Sequence, residues 1–160
     1  MSQVEKHLEW CLRDAKRLVI VTPNIALAEK HLAKSEYNYR VLLTLEESAI
    51  YDWALNVGFY AIYHCFLAIL AKYGYQSRNQ SCTVTALLRL IDERKLDFEK
   101  DLVLRFDVLA IEGEVENATV RRDREVSTYG IETSIDLKRL EEIKQLIIQV
   151  QRETIRVLRT

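Results

Sequence analysis

Residues 51–73, YDWALNVGFYAIYHCFLAILAKY, decide the fold. From Trp53 to Ala71 the chain carries no formal charge, a length that is sufficient for a membrane-spanning helix. Asn56 and His64 lie in the middle of this run, where lipid would leave their polar groups unpaired, and no basic cluster flanks one side. We therefore predict the central helix of a bundle, covered on all faces by other helices or by a partner chain.

The residues before this segment have helical periodicity. A capping box that begins at Ser2 opens a first helix, whose apolar positions continue to Val19. Pro23 ends that helix, because proline lacks a backbone donor and restricts the residue before it. Asn24 is placed to cap a second helix that runs to about Glu47.

The residues after the central segment continue the helical pattern. Gly74 ends the central helix, and a polar connection leads to a short helix that Ser81 or Thr83 caps. Further helices are predicted over residues 96–113 and 137–158. The chain of 160 residues has only four glycines and one proline, and no stretch shows sustained strand alternation. The expected fold is all-α: an up-and-down bundle of five or six helices that forms one domain over the whole chain.

Composition restricts the class of protein. Lysine and arginine number 23 against 24 aspartates and glutamates, so the chain is not a generally basic nucleic-acid binder. The three cysteines, Cys11, Cys65 and Cys82, are odd in number and have no CxxC spacing, and the first residues lack the pattern of a signal peptide. We expect a reduced, cytoplasmic protein without disulfides, zinc fingers or a membrane-spanning segment.

Residue types that commonly form catalytic or cofactor sites are sparse. The glycines are too scattered for a phosphate-binding loop, and no two of His7, His31 and His64 have the spacing of helical neighbours. His64 lies within the apolar run, where a core or interface role is the expected one. Neither a metal site nor a cofactor is predicted.

Two motifs carry a family resemblance. Residues 58–70, GFYAIYHCFLAIL, resemble the helix "A-Y-Y-A-x-F-H-A-x-x-A-L-L" of HEPN-domain proteins, and a glycine turn at Gly74 follows, as it does in that family. Residues 124–129, REVSTY, resemble the family's "R-x-x-A-D-Y" stretch ahead of its last long helix, with serine for alanine and threonine for aspartate. In helix order the resemblance covers about residues 5–155.

The resemblance implies a bundle of about five helices, usually a homodimer, that is associated with RNA. Nuclease members of the family use an arginine followed four to six residues later by a histidine. Many members are encoded beside a small nucleotidyltransferase and form a toxin–antitoxin pair with it. In such pairs the motif is an arginine, four residues, a histidine, one residue and a tyrosine.

This chain nearly contains that motif but lacks its histidine. Arg122 is followed after four residues by Ser127 and after one more by Tyr129. A serine hydroxyl offers no general base near neutral pH, and none of the three histidines follows an arginine at the required distance. Arg78 and Asn79 have the arginine-plus-polar pattern without a following histidine. The residues that we expect to bind phosphate or RNA are Arg122, Arg124, Ser127, Tyr129, Arg78 and Asn79.

Two functions therefore remain open. The first is a non-catalytic or degenerate HEPN-like module that binds RNA or a partner, for example as one half of a toxin–antitoxin pair with a nucleotidyltransferase. The second is an active, metal-independent ribonuclease toxin with a variant site of arginine, serine and tyrosine. Residues 112–125 also have a plainer interpretation, since an acidic run followed by arginines with interleaved acidic residues suits a solvated, salt-bridged helix surface. In either case we expect a homodimer with the helix of residues 51–73 at or beside the interface.

Overall fold

The structure, a computed structural model, describes residues 1–106 and 137–160. Within these residues it contains six helices and one short two-stranded ribbon, which confirms the all-α prediction. In chain order the elements are α1 (Gln3–Leu12), β1 (Leu18–Ile20), α2 (Ile25–Glu47), α3 (Tyr51–Tyr73), β2 (Tyr75–Ser77), α4 (Gln80–Asp92), α5 (Lys100–Phe106) and α6 (Leu137–Leu158).

Helix α3 is the centre of the bundle, as predicted. It packs against α2, α4 and α6, and 72% of its most apolar window is buried, although its length and composition would suffice to cross a membrane. Its aromatic rings organise the core. The Phe59 ring stacks on Phe106 with centroids 4.7 Å apart, and Phe66 meets Phe106 edge-on at 5.0 Å. These contacts tie α5 to the central helix.

Gly58 lets α2 and α6 approach α3 closely. A Cβ atom at this position would lie 3.1 Å from Leu42 of α2 and 3.1 Å from Ile143 of α6. Both neighbouring side chains belong to the buried core. The glycine that the family-like motif begins with is therefore a packing position between three helices.

Helix α1 is shorter than predicted, because the residues after Leu12 turn and form a strand. The Asp14 side chain accepts a hydrogen bond from the Lys16 backbone N–H at 2.9 Å, which is the local turn that aspartate favours. The chain then runs along β2 in antiparallel register, with Leu18 opposite Ser77. The sequence analysis did not predict this ribbon, because its three-residue strands are too short to show sustained alternation.

The predicted helix boundaries agree with the structure at several positions. The Ser2 capping box, the Asn24 cap and the left-handed Gly74 stop (φ 85°) are all present. The cap of α4 was predicted wrongly: Asn79, not Ser81 or Thr83, accepts the hydrogen bond from the first turn.

The helix predicted over residues 96–113 begins later, at Lys100, and the predicted end near Gly113 lies outside the described residues.

The expectation of a chain without disulfides was wrong. Cys11 of α1 and Cys82 of α4 are joined by a disulfide that closes a long loop, with 71 residues of sequence separation. The tertiary fold brings together two cysteines that are far apart in sequence, so neither composition nor spacing indicated the disulfide. Cys65 on α3 is unpaired and buried.

Candidate functional site

Helices α2 and α3 share a surface that the rest of the described chain leaves uncovered. On each helix the side chains of this surface recur at intervals of three and four residues or their sum, so they form two adjacent stripes. Four of these side chains are exposed and six are half-buried, and Lys34 is the only one with a formal charge. We call this surface the open face; it consists of Leu27, His31, Lys34, Val41 and Leu45 on α2 and Trp53, Val57, Tyr60, His64 and Leu67 on α3.

Large aromatic side chains are exposed on the open face. Trp53 is 49% exposed and Tyr60 is 40% exposed, although both belong to the most apolar helix of the chain. Exposed aromatic rings in a contiguous apolar surface are typical of interaction sites. The sequence analysis expected other helices or a partner chain to cover all faces of α3, and within the described residues Trp53 and Tyr60 remain exposed.

Two histidines meet in the middle of the open face. The Nδ1 atoms of His31 and His64 are 3.0 Å apart, and the rings are tilted by 32°. One ring must donate and the other accept, so the two imidazoles hold opposite tautomers. Lys34 lies one turn further along α2 and is the cationic side chain of this stripe.

Partial burial disfavours protonation of both rings. The pKa of His64 falls from 6.5 to about 4, mainly because burial penalises the imidazolium and further because His31 and Lys34 repel it. Burial also lowers the pKa of His31. At neutral pH both rings are therefore uncharged, and they serve as hydrogen-bonding groups rather than as cations.

A buried polar network supports the pair from the interior. The Ser35 hydroxyl donates to the Ala61 carbonyl at 2.6 Å, lies 3.2 Å from the Cys65 sulfur and accepts from the Gln151 amide at 3.1 Å. Burial raises the pKa of Cys65 to about 11, so this residue remains a neutral thiol. The network links α2, α3 and α6 beneath the histidines and offers no nucleophile.

A cavity of about 460 Å³ opens at one end of the open face, where α2 begins and α3 ends. Leu27, His31 and Leu67 form its wall on the helix side. The ribbon closes the opposite side with Tyr75 and Ser77. The volume is within the range of small-molecule sites, and both apolar and polar groups line it.

Cationic side chains flank an exposed aromatic ring beside the open face. Tyr37 on α2 is half exposed, with the Lys34 ammonium 4.7 Å and the Arg40 guanidinium 6.0 Å from its ring centroid. A ring with adjacent cations is the combination that binds single-stranded nucleic acids by stacking and by phosphate contacts.

The described chain contains two of the predicted RNA-binding residues. Arg78 is exposed directly after the ribbon, and its backbone N–H donates to the Arg17 carbonyl at 3.0 Å. Asn79 has a structural role: its side-chain oxygen accepts from the Cys82 backbone N–H at 3.0 Å and from the Ser81 hydroxyl at 2.7 Å. Neither residue contributes to the open face.

The other four predicted site residues, Arg122, Arg124, Ser127 and Tyr129, lie outside the described residues. That they bind phosphate or RNA stays a prediction from the sequence. The charged stretch of residues 112–125 falls in the same part of the chain.

Sequence reasoning missed the histidine pair, although a signal for it existed. His31 and His64 lie at similar distances on either side of the turn at residues 48–50, so antiparallel packing of α2 and α3 brings them level. A search restricted to spacing within one helix does not detect such a pair. His7 and Cys11 were also overlooked, because the spacing test compared histidines only with one another.

No protein-family model matches the sequence, and no match is found among curated proteins.

Proposed function

We propose that the protein is a non-catalytic, HEPN-like binding module that forms a homodimer through the open face and binds RNA beside it. The observation that carries the proposal is the open face itself, with Trp53 and Tyr60 exposed on a mostly buried helix. The family resemblance of residues 58–70 and 124–129 adds the expectation of RNA and of a nucleotidyltransferase partner in the cytoplasm.

The chemistry of the open face favours a second copy of the chain as its occupant. A two-fold interface pairs the same surface of both subunits, so a surface with several charges of one sign would repel its copy. Lys34 is the one formal charge on the open face, and it lies next to the uncharged His31 on α2. The remaining side chains are aliphatic or aromatic, which is the composition of a homodimer interface core.

The cations beside this face favour RNA as the ligand of the dimer. Tyr37 with Arg40, both outside the open face, supplies one stacking and phosphate-binding position on each subunit. Arg122 and Arg124 add cations from the stretch that resembles the family motif. We propose that these positions from two subunits act together on one RNA strand.

The histidine pair is poorly suited to acid–base catalysis. Metal-independent RNA cleavage needs a base for the 2′-hydroxyl proton and an acid for the leaving oxygen. His64, with its pKa lowered to about 4, is not an imidazolium near neutral pH and so is a poor general acid. His31 is hydrogen-bonded to His64, and burial lowers its pKa as well. This supports a binding function over a catalytic one.

RNA binding and cleavage are measured together with labelled single-stranded oligonucleotides and total RNA. We expect binding that weakens as salt is raised, without cleavage. Arg122→Ala and Arg124→Ala should each weaken binding and reduce the salt slope by about 1, while Arg13→Ala, at an exposed arginine after α1, should change neither. Absence of binding, or robust cleavage by the wild-type protein, contradicts the proposal.

The alternative is an active ribonuclease, and the His31–His64 contact is the observation that favours it. Two imidazoles at 3.0 Å on an accessible surface next to a cavity are a recognisable starting point for proton transfer. In that case the wild-type protein should cleave RNA, and the His31→Asn and His64→Asn variants should each fail to cleave it. Cleavage that persists in both variants but disappears with Arg122→Ala would instead identify the variant arginine, serine and tyrosine site.

A further inference from the structure

A second cluster of reactive side chains lies away from the open face, where α1 packs on α4. His7 and Cys11 are one helical turn apart on α1, so they share a face. Cys82 approaches them from the first turn of α4. A ring nitrogen of His7 and the two sulfurs all lie within 4.8 Å of one another.

The surroundings hold each of the three side chains in place. The His7 Nε2 atom is 3.1 Å from the Ser81 hydroxyl, and Trp10 stacks on the other side of the ring with centroids 5.2 Å apart. The Asn79 cap accepts from the Cys82 backbone N–H and so fixes the start of α4. Cys11 and Cys82 are fully buried, which excludes bulk water from the sulfur side of the cluster.

We propose that His7, Cys11 and Cys82 form a zinc site when the Cys11–Cys82 disulfide is reduced. The α1–α4 contact would then have two alternative links, a disulfide in the oxidised protein and a zinc dithiolate in the reduced one. The sequence analysis predicted no metal site, because its spacing test compared histidines only with one another and Cys82 reaches the cluster only through tertiary packing.

The donor set suits zinc. Two thiolates and one imidazole are three of the four ligands of a tetrahedral zinc centre, with water in the fourth position. At Zn–S distances of about 2.3 Å, tetrahedral geometry places the two sulfurs roughly 3.7 Å apart. The Cα atoms of Cys11 and Cys82 are 5.7 Å apart, so rotation of the side chains after reduction opens this space without moving the helices.

The exchange between the two forms is balanced. A dithiol reductant transfers two electrons and two protons to the disulfide: its thiolate attacks one sulfur, and its second thiol then releases the protein and becomes a cyclic disulfide. The protein now carries two thiols, and zinc displaces one proton from each on binding. In a reducing compartment, where disulfides do not persist, the metal supplies the link between α1 and α4.

Cobalt(II) is the probe for this site, because tetrahedral thiolate coordination gives it visible d–d bands and an intense near-ultraviolet charge-transfer band. The full chain is reduced with a phosphine, freed of reductant without air and titrated with cobalt chloride, then with zinc chloride. We expect one equivalent of cobalt to bind with both bands, and zinc to displace it. The oxidised wild-type protein, which has the same sequence and fold, should bind none.

Matched variants separate the site from adventitious binding. Cys11→Ser and Cys82→Ser should lose the charge-transfer band or weaken cobalt binding by more than about 100-fold, beyond the usual effect of an outer-shell change. The His7→Asn variant keeps both cysteines, so the fold of the variant can be checked in its disulfide-bonded form. In its reduced form the variant should bind cobalt more weakly than the wild type does. Cys65→Ser changes the unpaired cysteine outside the cluster and should bind as the wild type does. Absence of both bands in the reduced wild-type protein, or bands that depend on Cys65 instead, overturns the proposal.

Discussion

His31 on α2 and His64 on α3 are hydrogen-bonded to each other through Nδ1 atoms that lie 3.0 Å apart, in the middle of the open face. The contact requires one donor and one acceptor nitrogen, which a pair of neutral rings provides. Protonation of both rings would place two positive charges at this distance in a half-buried site. The contact therefore couples the packing of the two longest helices of the described chain to pH.

The first prediction concerns the stability of the protein in mild acid. The pKa of His64 is about 4 in the folded protein and ordinarily 6.5, so the unfolded chain binds the proton first. The contribution of His64 to stability is complete above pH 6.5 and is lost as the pH falls to about 4. After allowance for partial exposure, the loss is on the order of 1–2 kcal/mol. Chemical denaturation of the wild type and His64→Asn across this range measures it.

The two histidine variants should differ in this experiment. His64→Asn should flatten the decline in stability between pH 6.5 and 4. His7→Asn should retain most of this decline, because His7 lies in the α1–α4 cluster and not in the His31–His64 pair. Curves for the wild type and His64→Asn that remain parallel throughout would show that the histidine pair is not titrating as described.

The second prediction concerns Gly74, which ends α3 at φ 85°. A Cβ atom there would lie 2.7 Å from the Val21 carbonyl oxygen, a backbone atom that cannot move aside cheaply. Gly74→Ala should lower the free energy of unfolding by about 1–3 kcal/mol. Gly74→Asn should also be destabilising, since asparagine tolerates the backbone angle but carries the same Cβ atom. Thermal and urea denaturation measure both variants.

Ala49 provides the reverse control. It adopts φ 58° in the turn between α2 and α3 without being glycine. Ala49→Gly should relieve up to about 1 kcal/mol of backbone strain.

If Gly74→Asn is as stable as the wild type, the close approach to Val21 does not matter and only the backbone angle does.

The third prediction concerns the disulfide between Cys11 and Cys82. Because it closes a loop with 71 residues of sequence separation, its removal should cost about 2–4 kcal/mol of stability. The double variant Cys11→Ala/Cys82→Ala, compared with the oxidised wild type in the presence of a chelator, measures this difference. Addition of a reductant should destabilise the wild type and leave the double variant unchanged. If the double variant were as stable as the oxidised wild type, this result would contradict the disulfide.

The fold was predictable where local chemistry decides it. The uncharged run after Trp53, the caps at Ser2 and Asn24 and the stop at Gly74 each act within a few residues, and all appear in the structure. The end of α1 depended instead on pairing with β2, a contact made by residues far along the chain. Local periodicity therefore extended α1 too far.

The candidate site was only partly predictable, because it depends on tertiary contacts. The apolar α3 indicated an uncovered surface, but which side of the helix it occupies depends on how α2 and α6 pack. The contact of His31 with His64 joins two helices, and so does the bond between Cys11 and Cys82. Such pairs have no signature in the spacing of a single helix.

The central claim is that the open face is where two copies of the chain associate. Static light scattering at about 50 μM, well above the dissociation constant of an ordinary interface, tests it most directly. We expect twice the chain mass of 18.7 kDa for the wild type. Trp53→Asp should be monomeric, because it places a charge on the open face, yet it should remain folded, since aspartate is favourable in the first turn of a helix. Trp10→Asp, the matched change at a tryptophan 38% exposed on α1, should remain dimeric. A monomeric wild type, or a Trp53→Asp variant that still forms the dimer, would contradict the account.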